Sequence, residues 1–201
     1  MNTLPYRSTI KSKPFLYNET YKVAELYATG FSEEVIKKEV IHQNLFQVKT
    51  EQRKREITTT VLKRLKTLDT FLINKIVTTD IHTSKLITLY AILKTDRLFF
   101  EFMHEIFREK LTVHEPVLED RDFNAFFEAK RQQSEVVANW KEYTFYKLKQ
   151  VYLRILTDAG LLNNSSEREI QIPLLHPDVL DYMRNAEDTR YIDAIIGKGA
   201  R

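Results

Sequence analysis

The chain has 201 residues, 43% hydrophobic and 29% charged, a balance that excludes a disordered polymer and suits one large globular domain or two small ones. Four glycines and five prolines argue against a turn-rich all-β fold, and the absence of cysteine excludes disulfides, zinc thiolates, iron–sulfur clusters and cysteine nucleophiles together. The net charge of +3 is unevenly spread: residues 1–68 hold 13 Lys+Arg against 7 Asp+Glu, and the remaining 133 hold 18 against 21. A basic N-terminal third points to a polyanionic partner before it points to chemistry.

Residues 1–13 are polar and basic, predicting a flexible arm without the apolar core of a signal peptide. Lys11 and Lys13 suit ordering of that arm on a phosphate backbone. Asn18 is the expected N-cap of a first helix containing Tyr21, Val23, Ala24, Leu26 and Tyr27, with Gly30 beyond its end. Ser32 caps a second, with Glu33 and Glu34 at its positive end and Val35, Ile36, Val40 and Ile41 as its buried stripe. Thr50 caps a third, running to about Leu68, in which Ile57, Val61, Leu65 and Leu68 share one face. At about 100° per residue, Arg55, Thr59, Lys63 and Lys66 gather opposite.

Asp69 opens a shorter helix, and Asp80 or Thr83 opens one with few charges and a central place. Asp96 caps a helix whose Leu98, Phe99, Phe102, Met103, Ile106 and Phe107 make a broad aromatic face. Residues 112–120, with Pro116, read as a linker. Asp122 opens a helix through Phe123, Phe126 and Phe127, and Trp140 to Asp158 forms a long amphipathic one stopped by Ala159-Gly160. A turn at 163–166 and the alternation Glu169-Ile170-Gln171-Ile172 predict a short strand and a wing. Asp178 starts a last short helix, before a loose tail. The fold class is therefore mainly α: a compact bundle over 14–111 holding the basic helix, then a C-terminal, winged-helix-like part over 121–190 with a short β-hairpin, and a tail over 191–201.

Five scattered histidines form no HExxH pair, so neither metal nor cofactor is expected. The cluster Glu119, Asp120 and Asp122 is charge at a helix start. No phosphate-cradling glycine loop or nucleophile elbow occurs, and an enzyme is not expected. No apolar run reaches the roughly 18 residues of a membrane span.

The basic helix is the stronger signal. Lys49, Arg53, Lys54, Arg55, Lys63, Arg64 and Lys66 stand against Glu51 and Glu56. Arg53, Arg55, Lys63 and Lys66 are the phosphate-contact candidates, with Lys49 and Arg64 at the margin. The competing reading is a solvated face with scattered ion pairs. The first two helices and their Gly30-Phe31-Ser32 turn resemble the opening of a helix-turn-helix. A second stretch interleaves Lys141, Lys147 and Lys149 with Tyr143, Tyr146 and Tyr152. Its aromatics are expected in the core, with its lysines free for a groove or an acidic partner.

Several segments together resemble one family. They are Lys13-Pro14-Phe15-Leu16, Glu19-Thr20 through Val23-Ala24-Glu25-Leu26, Gly30-Phe31-Ser32-Glu33-Glu34-Val35-Ile36-Lys37, Asn44-Leu45-Phe46, Leu153-Arg154-Ile155-Leu156 and Ala159-Gly160-Leu161-Leu162. The pattern, over about residues 13–185, is similar to BrxA, the small NusB-like proteins of BREX bacteriophage-exclusion systems. The resemblance implies a cytoplasmic, largely helical and non-enzymatic protein. It implies partners among the other BREX subunits, which include a methyltransferase and an ATPase, and double-stranded DNA as ligand. The NusB likeness adds RNA. The rival function is an adaptor that docks larger BREX subunits.

Overall fold

The computed structural model describes residues 4–113, 116–186 and 188–197. The chain divides into two compact units, Phe15–Thr95 and Met1–Pro14 with Asp96–Arg201. The division thus falls at Thr95–Asp96, not in the expected linker at 112–120.

The unit Phe15–Thr95 is built from five helices: α1 (Tyr17–Ala28), α2 (Glu33–His42), α3 (Glu51–Leu65), α4 (Thr70–Thr78) and α5 (Ile81–Thr95). Side-chain oxygens set most of their starts. Ser32 accepts from the Val35 amide, Thr50 from Arg53 and Asp69 from Leu72. Asp80 accepts from both His82 and Thr83. Each satisfies an amide that lacks a helical partner. Asn18 does not cap α1, because the chain enters through Leu16 at φ 53 and is already helical at Tyr17. The centre is α5, whose residues Leu86 to Leu93 are all buried. A helix that is apolar all round has to be enclosed by others. Helices α1, α3 and α4 pack on it.

The second unit carries α6 (Arg97–Phe102), a π-helical turn (Met103–Phe107) and α7 (Arg108–Thr112) in unbroken succession. It continues with α8 (Asp120–Gln133), α9 (Glu135–Ala138), α10 (Glu142–Asp158), α11 (Pro177–Asn185) and α12 (Thr189–Ile196). Its core is aromatic. Tyr152 lies 4.6 Å from Phe99 and 5.3 Å from Phe102, ring to ring, and Phe102 stacks on Phe123 at 4.8 Å.

Four expectations are corrected in this unit. The described part of the arm is not a free tail: Thr9–Ser12 form a 3₁₀ turn packed on α10, with Ile10 buried. Tyr6 donates its hydroxyl to Glu101 at 2.9 Å. The linker is packed, with Leu118 buried and its amide bonded to the Arg168 carbonyl. The strand and wing reduce to two isolated antiparallel bridges, Val117 with Glu169 and Leu162 with Ile170. No strand forms among the described residues, since Pro173 ends the alternation one residue after Ile172. Residues 189–196 are helix α12, burying Tyr191, Ile192, Ala194, Ile195 and Ile196. Residues 198–201 of the expected tail lie outside the described residues, as do 1–3 of the arm.

Candidate nucleic-acid interface

The outer side of α3 is a single exposed stripe, in which Glu51, Arg55, Thr59, Lys63 and Lys66 follow one another at three- and four-residue steps. Its inner side buries Ile57, Val61, Leu62 and Leu65. The apolar face fixes the rotation of the helix and so aims the cations at solvent.

The candidate residues separate by what holds them. Lys63 and Lys49 are exposed, and neither has a carboxylate partner among the described residues. Arg55 is exposed and paired one turn back with Glu51, its Nε 3.0 Å from Oε1. Arg53 is half-buried, with Glu56 at 3.3 Å. Lys66 reaches to α2, where Oε2 of Glu33 lies 2.6 Å from its Nζ, and Lys37 holds the other oxygen of the same carboxylate at 2.6 Å. Hydrogen bonds from Lys37 and Lys66 hold the Glu33 carboxyl below the usual glutamate range. Lys66 is raised in turn by its bond to that carboxylate.

Arg64 leaves the candidate set. It is 4% exposed and donates to the Phe15 carbonyl at 3.0 Å. It lies three residues after Val61 and seven after Ile57, on the apolar face, so helical phase would have removed it from the sequence alone. Lys54 is half-buried and caps the end of α2 through the Ile41 carbonyl at 3.3 Å. Lys37 joins the surface although sequence reasoning passed over it. Its signal is the i, i+4 relation to Glu33.

In the other unit, the three lysines of α10 and its approach differ in the same way. Lys149 is tied to Asp120 at 3.0 Å, and Arg168 binds the second oxygen of that carboxylate. Asp120 is accordingly held below the usual range by Arg168 and Lys149. Lys141 is exposed, with no carboxylate partner among the described residues. Lys147 lies over two tyrosine rings. Tyr152 is fully buried, as expected of the core, and burial pushes its phenol well above the ordinary value. Tyr143 and Tyr146 are exposed.

No group of three or more histidine, aspartate or glutamate side chains among the described residues is placed to hold a metal ion. No helix among them is long and apolar enough to cross a membrane.

The family profile described as BrxA matches residues 4–187. The chain belongs to the BrxA family. Among BrxA relatives, the BREX protein BrxA of Bacillus cereus (strain H3081.97) is 55% identical over 194 residues, covering 96% of this chain and 97% of that one. The BREX protein BrxA of Escherichia coli O9:H4 (strain HS) is 19% identical over 185 residues, 92% of this chain and 87% of the relative. A crystal structure of an uncharacterized protein from Magnetospirillum magneticum has the same fold, with a TM-score of 0.81 and 19% identity over 95% of this chain and 98% of that one.

Proposed function

We propose that this BrxA-family chain is a non-enzymatic, DNA-binding component of a BREX phage-defence system, and that the exposed side of α3 lies along duplex phosphates. One observation carries the reading: Arg55 and Lys63 of the 15-residue α3, and Lys66 at its C-cap, project from one stripe. At about 1.5 Å rise per residue, Arg55 to Lys66 spans roughly 16 Å, enough to meet several phosphates of a duplex that carries one charge per ~1.7 Å. Exposed ion pairs such as Arg55–Glu51 and Lys66–Glu33 are weak in water and screened by salt, so phosphates compete for these cations at little cost. Such contacts position the protein and do not read sequence. Lys141 and Lys147 supply a second cationic stretch. On this reading the protein works in the cytoplasm, where cellular and phage DNA are found, and a NusB-like bundle would extend its ligands to RNA.

The test is charge reversal. Arg55→Glu, Lys63→Glu and Lys66→Glu together should abolish duplex binding across a salt series while leaving the helical circular dichroism intact. Unchanged affinity in the folded variant sinks the assignment.

A second reading, an adaptor docking larger BREX subunits, draws on Ile172 and Leu174. They are 68% and 88% exposed on the extended segment before α11. Steep salt dependence separates phosphate binding from docking on an apolar core.

A further inference from the structure

The solvent face of α10 carries chemistry that a phosphate-tracking helix does not require. Tyr143 and Tyr146 are 66% and 51% exposed. Their ring centroids are 6.3 Å apart and their planes are inclined by 31°. Lys147 Nζ lies 5.3 Å and 5.5 Å from the two centroids. It donates to Oε1 of Gln150 at 3.1 Å, while Nε2 of the same amide donates to the Tyr146 hydroxyl at 2.8 Å. Cation–π attraction and these hydrogen bonds hold two large rings on a surface where half or more of each stays open to solvent.

We propose that this face binds single-stranded nucleic acid, with unpaired bases stacking on Tyr143 and Tyr146 and phosphates on Lys147 and Lys141. In a duplex each base is covered by its neighbours in the stack, so open tyrosine rings have nothing there to stack on. An unpaired strand offers free base faces and a polyanionic backbone together, the combination met elsewhere by aromatic platforms set in basic surfaces. A peptide partner fits less well. An acidic segment would satisfy the lysines and leave the rings idle. An apolar one would meet Lys147, Gln150 and Arg154 in the place of an aliphatic groove. The inference rests on α10 and not on the α3 reading.

The experiment is fluorescence anisotropy of the full chain with labelled oligo-dT, oligo-U and a duplex. Trp140, the only tryptophan, stands three residues before Tyr143 and gives a second, intrinsic readout. The variant Tyr143→Leu with Tyr146→Leu should lose about tenfold or more in single-strand affinity, the scale of lost base–aromatic stacking. Tyr143→Phe with Tyr146→Phe should keep it, because stacking needs the ring and not the hydroxyl. Duplex affinity should stay unchanged in both pairs, and the α3 charge reversals should leave single-strand affinity in place. Preference for oligo-U assigns RNA, preference for oligo-dT assigns DNA, and equal binding assigns the base-plus-phosphate chemistry common to both. Duplex binding without single-strand binding overturns this inference and leaves the α3 reading standing. Unchanged single-strand affinity in the folded leucine pair also overturns it, as does loss of a protein partner alone.

Discussion

Lys66 at the end of α3 places its Nζ 2.6 Å from Oε2 of Glu33 in the first turn of α2. The same carboxylate holds Lys37. One glutamate therefore competes with any bound anion for two cations of the candidate interface. Glu33→Gln should raise duplex affinity at low salt and steepen the log–log salt slope by about one counterion. The curves of variant and parent should converge at high salt, where the pair is already screened. Binding titrations over a salt series check this.

That carboxylate also sets a pH signature. Its folded pKa is lowered by Lys37 and Lys66, so its contribution to stability is complete above the ordinary glutamate value of about 4.3 and is lost as pH falls through the lowered folded value. Urea melts of parent and Glu33→Gln should differ at neutral pH and coincide in strong acid.

Arg64 should act on stability alone. Arg64→Met removes the donor to the buried Phe15 carbonyl, and an unsatisfied buried acceptor costs about 1–3 kcal/mol. The folded fraction should bind duplex as the parent does. Chemical denaturation and binding measured on the same preparation separate the two effects.

Lys130 is 2% exposed and lies between Glu101 at 2.8 Å and Glu105 at 2.6 Å. Burial pushes the Glu101 carboxyl up, but hydrogen bonds from Lys130, Arg97 and Tyr6 outweigh it and leave the pKa lowered. Lys130→Met breaks a buried pair, a change worth about 3–5 kcal/mol of stability. The pH dependence should weaken with it. In the parent, Glu101 stabilises above about pH 4.3 and its contribution drains as pH falls through the lowered value. In the variant, burial gains weight against the remaining donors, so acidification costs less stability than in the parent. Melting temperatures of both proteins across acid pH test this.

The arm carries its own prediction. Tyr6 sits with its ring 4.0 Å from the Arg97 guanidinium, and its phenol is pushed up to about 12 by burial and then by the bond to Glu101. Its contribution is complete below about pH 10 and is lost as pH rises through about 12. Tyr6→Phe should cost about 0.5–1.5 kcal/mol and speed tryptic cleavage at Arg7 and Lys11, as limited proteolysis would show.

Much of the helical layout was legible because capping is local. Ser32, Thr50, Asp69 and Asp96 each accept from an amide three residues on, a relation fully present in the sequence. Asp120, not Asp122, begins α8, because Glu119 is its N-cap and forms a reciprocal capping box with Asp122. Helix α12 was missed although Ile192, Ile195 and Ile196 keep helical spacing. Ile10 gave no local sign of burial, since what covers it lies far along the chain.

The sequence by itself determined that the chain is helical, that its N-terminal third is basic and that α3 has one apolar and one charged side. Composition and periodicity are properties of neighbouring residues, and they suffice for that. Only the tertiary structure decided which cations are free. Lys63 and Lys66 look alike in the sequence, yet Lys66 meets Glu33 from another helix and Lys63 meets no carboxylate among the described residues. The same holds on α10, where Lys149 is held by Asp120 and Tyr143 and Tyr146 face solvent while Tyr152 fills the core. Pairing and burial depend on which helices meet, and that is set by packing over the whole unit.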